Sequence, residues 1–521
     1  MTAPDRIDAV FALAAQETPD HTHLILPNGR NVSYGLSYAR AARLAGGFRA
    51  AGIAEGDRVA CFMRNSPEII EFFIACGIAN VIGVAINGMS MAREVERIFN
   101  DCTPAGIVTE HHFLKQIPPC AALDAMRLRI ATDMEEPPVG WQAYEAVLAG
   151  SDPADQAANA TGADPAMMIY SSGTTGAPKG ILLSHGALVE DARMTTGVLQ
   201  MSAQDRFMTV LPMFSSFGFA FDFLQVGVLR ASVVILKQFE ERKAVELIAR
   251  HRVTFLAAVP TLLARMFDTT TIGDLDISSM RLIDVGGGPV SPRLKQMLAE
   301  DFGTEVVESY GLTEISPVAS VQIPGQDNPL GSCGPALPGI ECRVMGLDGK
   351  LAGQNEPGEL QFRSPTVMLG YWNQPELTAQ TLKDGWLRTG DLGQIDEQGH
   401  IHILDRTKDM IISNGFNVYP KEVENVIAEI PCVQSVAVVG VNDEIAGQQI
   451  CAFVTVKSGE TLSEDRVLHY CSENLSHYKR PKEIRFLAEL PLTGSGKIRR
   501  VQLRKMLDAN SEKTDKTKAN K

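Results

Sequence analysis

The sequence contains no Cys-x-x-Cys pair, and its nine cysteines are odd in number. A zinc ribbon, a redox dithiol and a disulfide frame are therefore not expected; the pattern fits reduced thiols in the cytoplasm. Positive charge is not in excess: 48 Lys and Arg stand against 62 Asp and Glu, a net charge of −14. That balance argues against broad affinity for nucleic acid or anionic membrane, although anions can still be held locally. The first residues, Met1-Thr2-Ala3-Pro4-Asp5-Arg6, carry neither a basic n-region nor an apolar h-region, so no targeting leader is expected. Repeats at solenoid periods are missing. A membrane span is not expected either. The stretch Phe72–Ala92 holds no charge and is long enough to cross a bilayer. Ahead of it, however, Ser66-Pro67-Glu68 spells a helix N-cap, a first-turn proline and a first-turn acid. The spacing predicts a helix to about Asn80 and then a buried strand, Val81–Ala85, which is the pattern of an α/β layer.

What remains is a globular composition, 45% apolar and 21% charged over 521 residues. At ~100–200 residues per domain, that suggests roughly three units, or one large domain with a smaller appendage. Up to about residue 400, helical stretches alternate with short β-branched runs, among them Ala105–Thr109, Val233–Leu236, Thr254–Ala258, Leu282–Val285 and Glu305–Val307. Such alternation indicates α/β layers with mostly parallel sheet. Ser151–Pro165 reads as a linker or surface loop. From Gly331 to Tyr371 the chain becomes Gly/Pro-punctuated strands without helices, more like a small antiparallel barrel. Beyond Asp405-Arg406-Thr407-Lys408-Asp409 lies a segment of the size of an α+β domain: helix Pro420–Glu429, strands Ser435–Val441 and Ile450–Val456, helix Ser463–Leu475. Residues 511–521 form a polar tail.

Five stretches carry chemistry. Ser171-Ser172-Gly173-Thr174-Thr175-Gly176-Ala177-Pro178-Lys179 crowds hydroxyls, glycines and one lysine into a loop after an apolar run. Glycines let backbone N–H groups approach a polyphosphate, hydroxyls donate, and Lys179 adds charge. It is not a Walker A loop, since glycine follows Lys179. Gly286-Gly287-Gly288 follows a strand but has Ser291 where a Rossmann fingerprint needs glycine; it is either a structural turn or a place where a flat ring lies against backbone. Glu308-Ser309-Tyr310-Gly311-Leu312-Thr313-Glu314 follows Glu305–Val307, at the strand end where ligands bind in parallel sheets. Asp391 and Arg406 could hold ribose and phosphate or form a surface ion pair. Lys497 sits on the flexible Thr493-Gly494-Ser495-Gly496 loop.

Together and in this order, the five resemble the adenylate-forming superfamily of acyl-CoA synthetases, peptide-synthetase adenylation domains and luciferases, over nearly the whole chain. The resemblance implies an α/β fold: a large N-terminal domain of layered α/β subdomains with a small β-barrel-like part, and a small mobile α+β C-terminal domain. Its boundaries would be 1–405 for the ATP- and acyl-binding domain, 406–409 for a hinge around Lys408, and 410–510 for the mobile domain. It implies ATP phosphates on Ser171, Ser172, Gly173, Thr174, Thr175, Gly176 and Lys179, with Thr174 and Glu314 near Mg²⁺. Gly287, Gly288, Glu308, Ser309 and Tyr310 would frame adenine, Thr313 the α-phosphate, and Asp391 and Arg406 the ribose. Catalysis would rest on Lys497 with Thr313 and Glu314. By the same resemblance, Phe214, Ser215, Phe217, Phe219, Gly286 and Gly311 would fall in the acyl pocket, and Gly415, Tyr478, Arg480 and Lys482 would meet coenzyme A.

The implied reaction activates a carboxylic acid with ATP and Mg²⁺ to acyl-AMP, then transfers the acyl group to the CoA thiol. A stand-alone acyl-AMP ligase serving a carrier protein, a luciferase-like oxidative enzyme and a non-catalytic nucleotide-binding relative share the ATP motifs. A homo-oligomer is left open. Phe214–Phe223 holds one charge, Asp222, and no Arg or Lys, which favours a largely apolar monocarboxylic acid, medium-chain or aryl. Read as an extended segment, its phenylalanines at 217, 219, 221 and 223 divide into a pocket set and a core set. Many relatives carry histidine where this chain has Ser215, so a wider acyl channel is expected. Gly35-Leu36-Ser37-Tyr38-Ala39 falls short of a nucleophile elbow and reads as the start of a helix. The pairs His21/His23, His111/His112 and His400/His402 lack partners for a metal site.

Overall fold

The structure is a computed structural model that describes residues 4–172, 178–267, 272–288, 292–346, 348–406, 411–413, 416–443, 447–493 and 498–507. At some element ends, Ser171, Ser172 and Arg406 among them, it describes the backbone alone. The chain divides into two compact units, Met1–Cys342 with Phe362–Leu387, and Arg343–Gln361 with Arg388–Lys521.

Local chemistry explains the first layers of unit one. Ser66 caps the helix Pro67–Ala79 by accepting from the Ile69 amide, Pro67 occupies the first turn, and Asn80 closes the helix in a left-handed conformation. A serine cap of this kind contributes about 1 kcal/mol. Every residue from Ile69 to Ala79 is buried, Glu71 included, which pairs with Arg40 at 2.7 Å; a helix apolar on nearly every side belongs inside a protein, and the strand Ile82–Ala85 follows it. No helix among the described residues is long and apolar enough to cross a membrane. The expected helix after Gly35 is present as Tyr34–Ala50, capped by Ser33.

The strand Ile82–Ala85 lies inside a sheet ordered Gly370–Tyr371, Pro178–Ser184, Pro165–Ser172, Ile82–Ala85, Arg58–Phe62, Gly106–Glu110, Leu128–Thr132 and Gln142–Ala143. Pairings from Pro165–Ser172 through Gln142–Ala143 are parallel; the two involving Pro178–Ser184 are antiparallel. Phe62, Val84, Phe99, Ile107 and Met168 build the core on it. A second sheet runs Phe255–Ala258, Leu282–Val285, Glu305–Gly311 in parallel, with Val318–Val321 antiparallel at its edge. The two parallel steps place the carboxyl ends of three strands side by side; the glycine cluster follows the second, and Glu308–Glu314 spans the end of the third, which runs on to Gly311 and past the expected Val307, and the turn beyond it.

Between these layers sits the Phe214–Phe223 segment, which is helical and not extended: helix Ser216–Phe219, a π-helical turn Ala220–Gln225, helix Val226–Leu229. An extended strand would have put residues two apart on one face. The helix is what splits the rings. Phe219 and Phe223 pack with Phe73, and Phe223 stacks on Phe11, whereas Phe217 and Phe221 form the other pair, with Phe221 stacked on Phe255.

Unit two holds the greater part of strands Glu341–Met345, Gly358–Arg363 and Trp386–Ile395 and all of His400–Arg406, which lie adjacent in one sheet. Its later part matches the expected α+β segment: helix Pro420–Ala428, strands Val433–Asp443 and Gly447–Val456, helix Glu464–Asn474. Alternation along the paired strands buries Val438, Ile450, Ala452 and Val454 in one cluster and Ala437, Val439, Cys451 and Phe453 in another, as the period of two requires.

Candidate active site

The hydroxyl- and glycine-rich loop joins two antiparallel strands, with Ser171 opposite Lys179 and Ser172 opposite Pro178. Gly173, Thr174, Thr175 and Gly176 lie outside the described residues. Lys179 is described, and its ammonium stands 5.7 Å from the centre of the Tyr371 ring. The Tyr371 hydroxyl donates to Glu314 Oε1 at 2.9 Å. One tyrosine thus links the loop lysine to the carboxylate expected beside Mg²⁺. Burial, then the adjacent Glu314 charge, raises the Tyr371 phenol well above its ordinary range, so it remains a hydrogen-bond donor throughout the neutral range. Sequence reasoning missed Tyr371. The signal for it was weak, a two-residue strand, Gly370–Tyr371, that pairs with Pro178–Ser184.

Thr313 and Glu314 lie in the short 3-10 turn Thr313–Ile315 after the strand Glu305–Gly311. The Glu314 carbonyl accepts from the Met368 amide at 2.9 Å, which ties this turn to the segment leading into Tyr371. A Cβ on Gly311 would lie 1.8 Å from the Pro317 carbonyl oxygen; the turn closes so tightly that only glycine fits. Thr313 Oγ1 and Ser216 Oγ share a hydrogen bond of 2.9 Å, joining the residue expected at the α-phosphate to the start of the acyl-side helix. Glu308 is buried; its amide donates to Gln322, and Lys295 approaches its carboxylate at 3.6 Å. Ser309 donates to the fully buried Asp284 at 3.0 Å, and the Tyr310 ring lies near Phe362. Gly287 and Gly288 follow the strand Leu282–Val285 at the same end of the sheet.

On the acyl side, Ser215 acts as the N-cap of Ser216–Phe219: its hydroxyl donates to the Pro212 carbonyl at 2.8 Å and accepts from the Gly218 amide at 3.2 Å. A Cβ on Gly286 would come within 2.8 Å of Phe217 and 3.2 Å of Ser309 Oγ, so Gly286, Phe217 and Ser309 converge on one spot. Phe214 is half-buried, close to Gly88 and Phe113. Phe219, expected beside Phe217 in the acyl pocket, faces elsewhere. Two residues along a helix turn the side chain about 200°, and Phe219 is fully buried against Phe73 and Phe223.

In unit two, Asp391 stands directly opposite Arg406 in the antiparallel pair Trp386–Ile395 and His400–Arg406. Asp391 is buried, its amide accepted by Thr389 Oγ1 at 3.0 Å, while Glu359 holds Arg388 and the Gly390 amide. Arg480 donates to the Leu475 and Ser472 carbonyls, closing the end of Glu464–Asn474. Tyr478 lies under the Lys479 ammonium, and Lys482 is exposed. Lys408, Gly415 and Lys497 lie outside the described residues. His400 and His402 both bond Asp396, and among the described residues no group of three or more metal-binding side chains occurs.

Comparison with known proteins finds relatives along nearly the whole chain. Residues 11–372 match the family model described as AMP-binding enzyme, and residues 422–497 match AMP-binding enzyme C-terminal domain. The chain is 35% identical over 491 residues to indoleacetate–CoA ligase of Aromatoleum aromaticum, covering 94% of this chain and 96% of that protein. Among solved structures it resembles the anthranilate CoA ligase AuaEII in complex with anthranoyl-AMP, with a TM-score of 0.90, 27% identity, and coverage of 97% and 98%. It also resembles ATP-bound MatB from Rhodopseudomonas palustris, with a TM-score of 0.86, 30% identity, and coverage of 96% and 99%.

Proposed function

The chain belongs to the AMP-binding enzyme family and is an AMP-forming acid–CoA ligase; within that class we propose how its residues divide the work and which acid it takes. The substrate carboxylate attacks the α-phosphorus of ATP, pyrophosphate leaves, and acyl-AMP forms. The CoA sulfur then attacks the acyl carbonyl carbon and AMP leaves with the bonding pair. Adenylation is needed because a carboxylate oxygen is a poor leaving group and AMP is a good one. The protein's part is positioning and charge neutralisation.

The observation that carries this assignment is the continuous link from Lys179 through Tyr371 to Glu314, beside the Thr313–Ser216 hydrogen bond. Lys179 with Ser171, Ser172, Gly173, Thr174, Thr175 and Gly176 takes the outer phosphates, and Thr313 the α-phosphate. Gly287, Gly288, Glu308, Ser309 and Tyr310 take adenine; Asp391 and Arg406, facing one another across two strands, take ribose. Glu314 is a half-buried carboxylate oriented by Tyr371, an oxygen donor suited to a hard cation. With Thr174 it would hold Mg²⁺, which when bound would offset phosphate charge. Residues 406–409 serve as the hinge of a mobile domain, 410–510, that brings Lys497 to the adenylation step and Gly415, Tyr478, Arg480 and Lys482 to coenzyme A. A cytoplasmic location goes with this reading, supported by nine free cysteines.

The acid is largely apolar, of aryl or medium-chain type. Phe214, Phe217, Gly286 and Gly311 line its path, and Phe214–Phe223 offers no cation for a second carboxylate, whose unpaired burial would cost several kcal/mol. The test is pyrophosphate release with a panel of acids, followed by AMP and thioester formation with and without CoA. Acid-dependent pyrophosphate with CoA-dependent thioester is expected. Efficient turnover of malonate but not octanoate or benzoate would overturn the substrate assignment. Acyl-AMP that accumulates with CoA inert would overturn the acceptor.

A further inference from the structure

Asp101 is the penultimate residue of the helix Ala92–Cys102. Helix stability does not call for an acid there, because the last turn is the negative end of the helix dipole. Its partners lie far along the chain. Oδ2 accepts from the Tyr170 hydroxyl at 2.5 Å, and the Asp101 carbonyl accepts from Trp372 Nε1 and Asn373 Nδ2, each at 3.2 Å. Arg58 fixes the same helix end. Its guanidinium donates to the Cys102 and Thr103 carbonyls at 2.8 and 3.0 Å and stands 5.4 Å from the centre of the Trp372 ring.

Tyr170 and Trp372 flank one strand, Pro178–Ser184. Tyr170 stands opposite Gly180, and the Trp372 amide donates to the Gly180 carbonyl at 2.7 Å. A Cβ on Gly180 would lie 2.9 Å from Met168 Sδ and 3.2 Å from Trp372 Cβ, so this face of the sheet closes over glycine. Tyr170 and Trp372 pack here against the core that holds Phe99, Cys102 and Met168. Neighbouring residues on a strand face opposite ways, and Lys179 and Tyr371 accordingly meet on the other face. One helix end thus grips, from the core side, the two strands on either side of Lys179. Each gripped residue is the chain neighbour of one at the phosphate end: Tyr170 of Ser171, Trp372 of Tyr371. Burial, then the adjacent Cys102 and the bond to Asp101, raises the Tyr170 phenol above its ordinary range, so it stays a donor throughout the neutral range.

We infer that Asp101 is a positioning residue for adenylation: its side chain on Tyr170 and its carbonyl on Trp372 and Asn373 fix the spacing of the strands that carry Ser171, Lys179 and Tyr371 to the ATP phosphates. This rests on the acid–CoA ligase reading above. Misplacing reacting groups by about 1 Å costs up to about 100-fold in rate, so an anchor behind the site controls the chemistry without touching substrate. The two kinds of bond are separable, because substitution of Asp101 deletes the side-chain bond and keeps the carbonyl.

The experiment measures acid-dependent pyrophosphate release over a MgATP titration, and thioester formation from supplied acyl-AMP and CoA, using the acid of the panel above that is turned over fastest. Asp101→Ala and Tyr170→Phe should each lower kcat/KM for MgATP by about 10-fold, the loss expected for one hydrogen bond to a charged group. KM for the acid and thioester formation should be unchanged. The double variant should lose no more than either single one, since both delete the same bond. Asp101→Asn keeps an acceptor and should restore most of the rate. A residue that merely stabilises the fold would lower both half-reactions in step, in proportion to the folded fraction read by urea unfolding, and that pattern overturns the inference. So does an Asp101→Asn as impaired as Asp101→Ala. If Asp101→Ala does not fold, Tyr170→Phe, which keeps the ring, decides: MgATP kinetics like those of the wild type overturn the inference. Pyrophosphate release by the wild type with unaffected variants would sink this inference and leave the ligase reading standing. No release by the wild type with any acid would sink both.

Discussion

Tyr371→Phe is the most direct probe of the phosphate end of the site. The substitution deletes the hydroxyl that Glu314 Oε1 accepts from at 2.9 Å and leaves the ring 5.7 Å from the Lys179 ammonium. A hydrogen bond to a charged group contributes about 1.5–3 kcal/mol. Both partners are half-buried, so the lower figure applies, and ~1.5 kcal/mol is roughly a 10-fold loss. The loss should fall on adenylation, read as acid-dependent pyrophosphate release over a MgATP titration. Conversion of supplied acyl-AMP and CoA into thioester should be much less affected, because no phosphate beyond the α position is then present. Tyr371→Ala also removes the ring from Lys179, a contact worth ~0.5–1 kcal/mol at a partly exposed site, and should slow adenylation several-fold further. The phenol remains protonated across neutrality, so neither variant should gain a new limb in its pH–rate profile. If both variants adenylate within twofold of wild type, the Lys179–Tyr371–Glu314 link has no part in ATP chemistry.

Ser215→His removes a helix cap and should lower stability by about 1 kcal/mol, seen in urea unfolding; it should also narrow acceptance toward smaller acids, and an unchanged substrate profile would mean that another residue gates the channel. Lys497→Ala should cripple acyl-AMP formation by roughly 30-fold or more, from half of a ~4 kcal/mol charge interaction, yet still convert supplied acyl-AMP. Lys408→Pro should do the reverse, since proline stiffens a pivot; equal losses in both half-reactions would refute the hinge assignment. Glu110 is buried, which by itself raises its carboxyl, but hydrogen bonds from Arg64 and Lys237 outweigh burial and hold it at about 2. Its stabilisation, on the order of 2 kcal/mol with half-exposed Lys237 discounted, is therefore present above about pH 4.5 and lost as pH falls through about 2. Urea unfolding of Glu110→Gln should show a deficit at pH 7 that shrinks toward pH 2, and a deficit independent of pH would contradict the ion-pair account.

Sequence alone determined what depends on a few neighbouring residues. Ser66-Pro67-Glu68 specifies a helix start because capping satisfies amides within one turn, and the helix begins there. Leu282–Val285 reads as a strand and is one with the same bounds, because a short apolar run between turn residues has few other uses. The order of the five stretches sufficed to indicate the chemistry. Only the tertiary structure decided which groups meet. Tyr371 and Glu314 are 57 residues apart, and nothing local to either predicts the pair. The four phenylalanines required knowledge of the helix with its π turn; the composition of 217–223 fits strand and helix alike, and packing between two layers selects between them. Asp284 looks in sequence like any strand-end acid. Its burial comes from neighbouring strands that bring Ala257, Val307 and Ser309 beside it, and desolvation is a property of that assembled space, not of the residue.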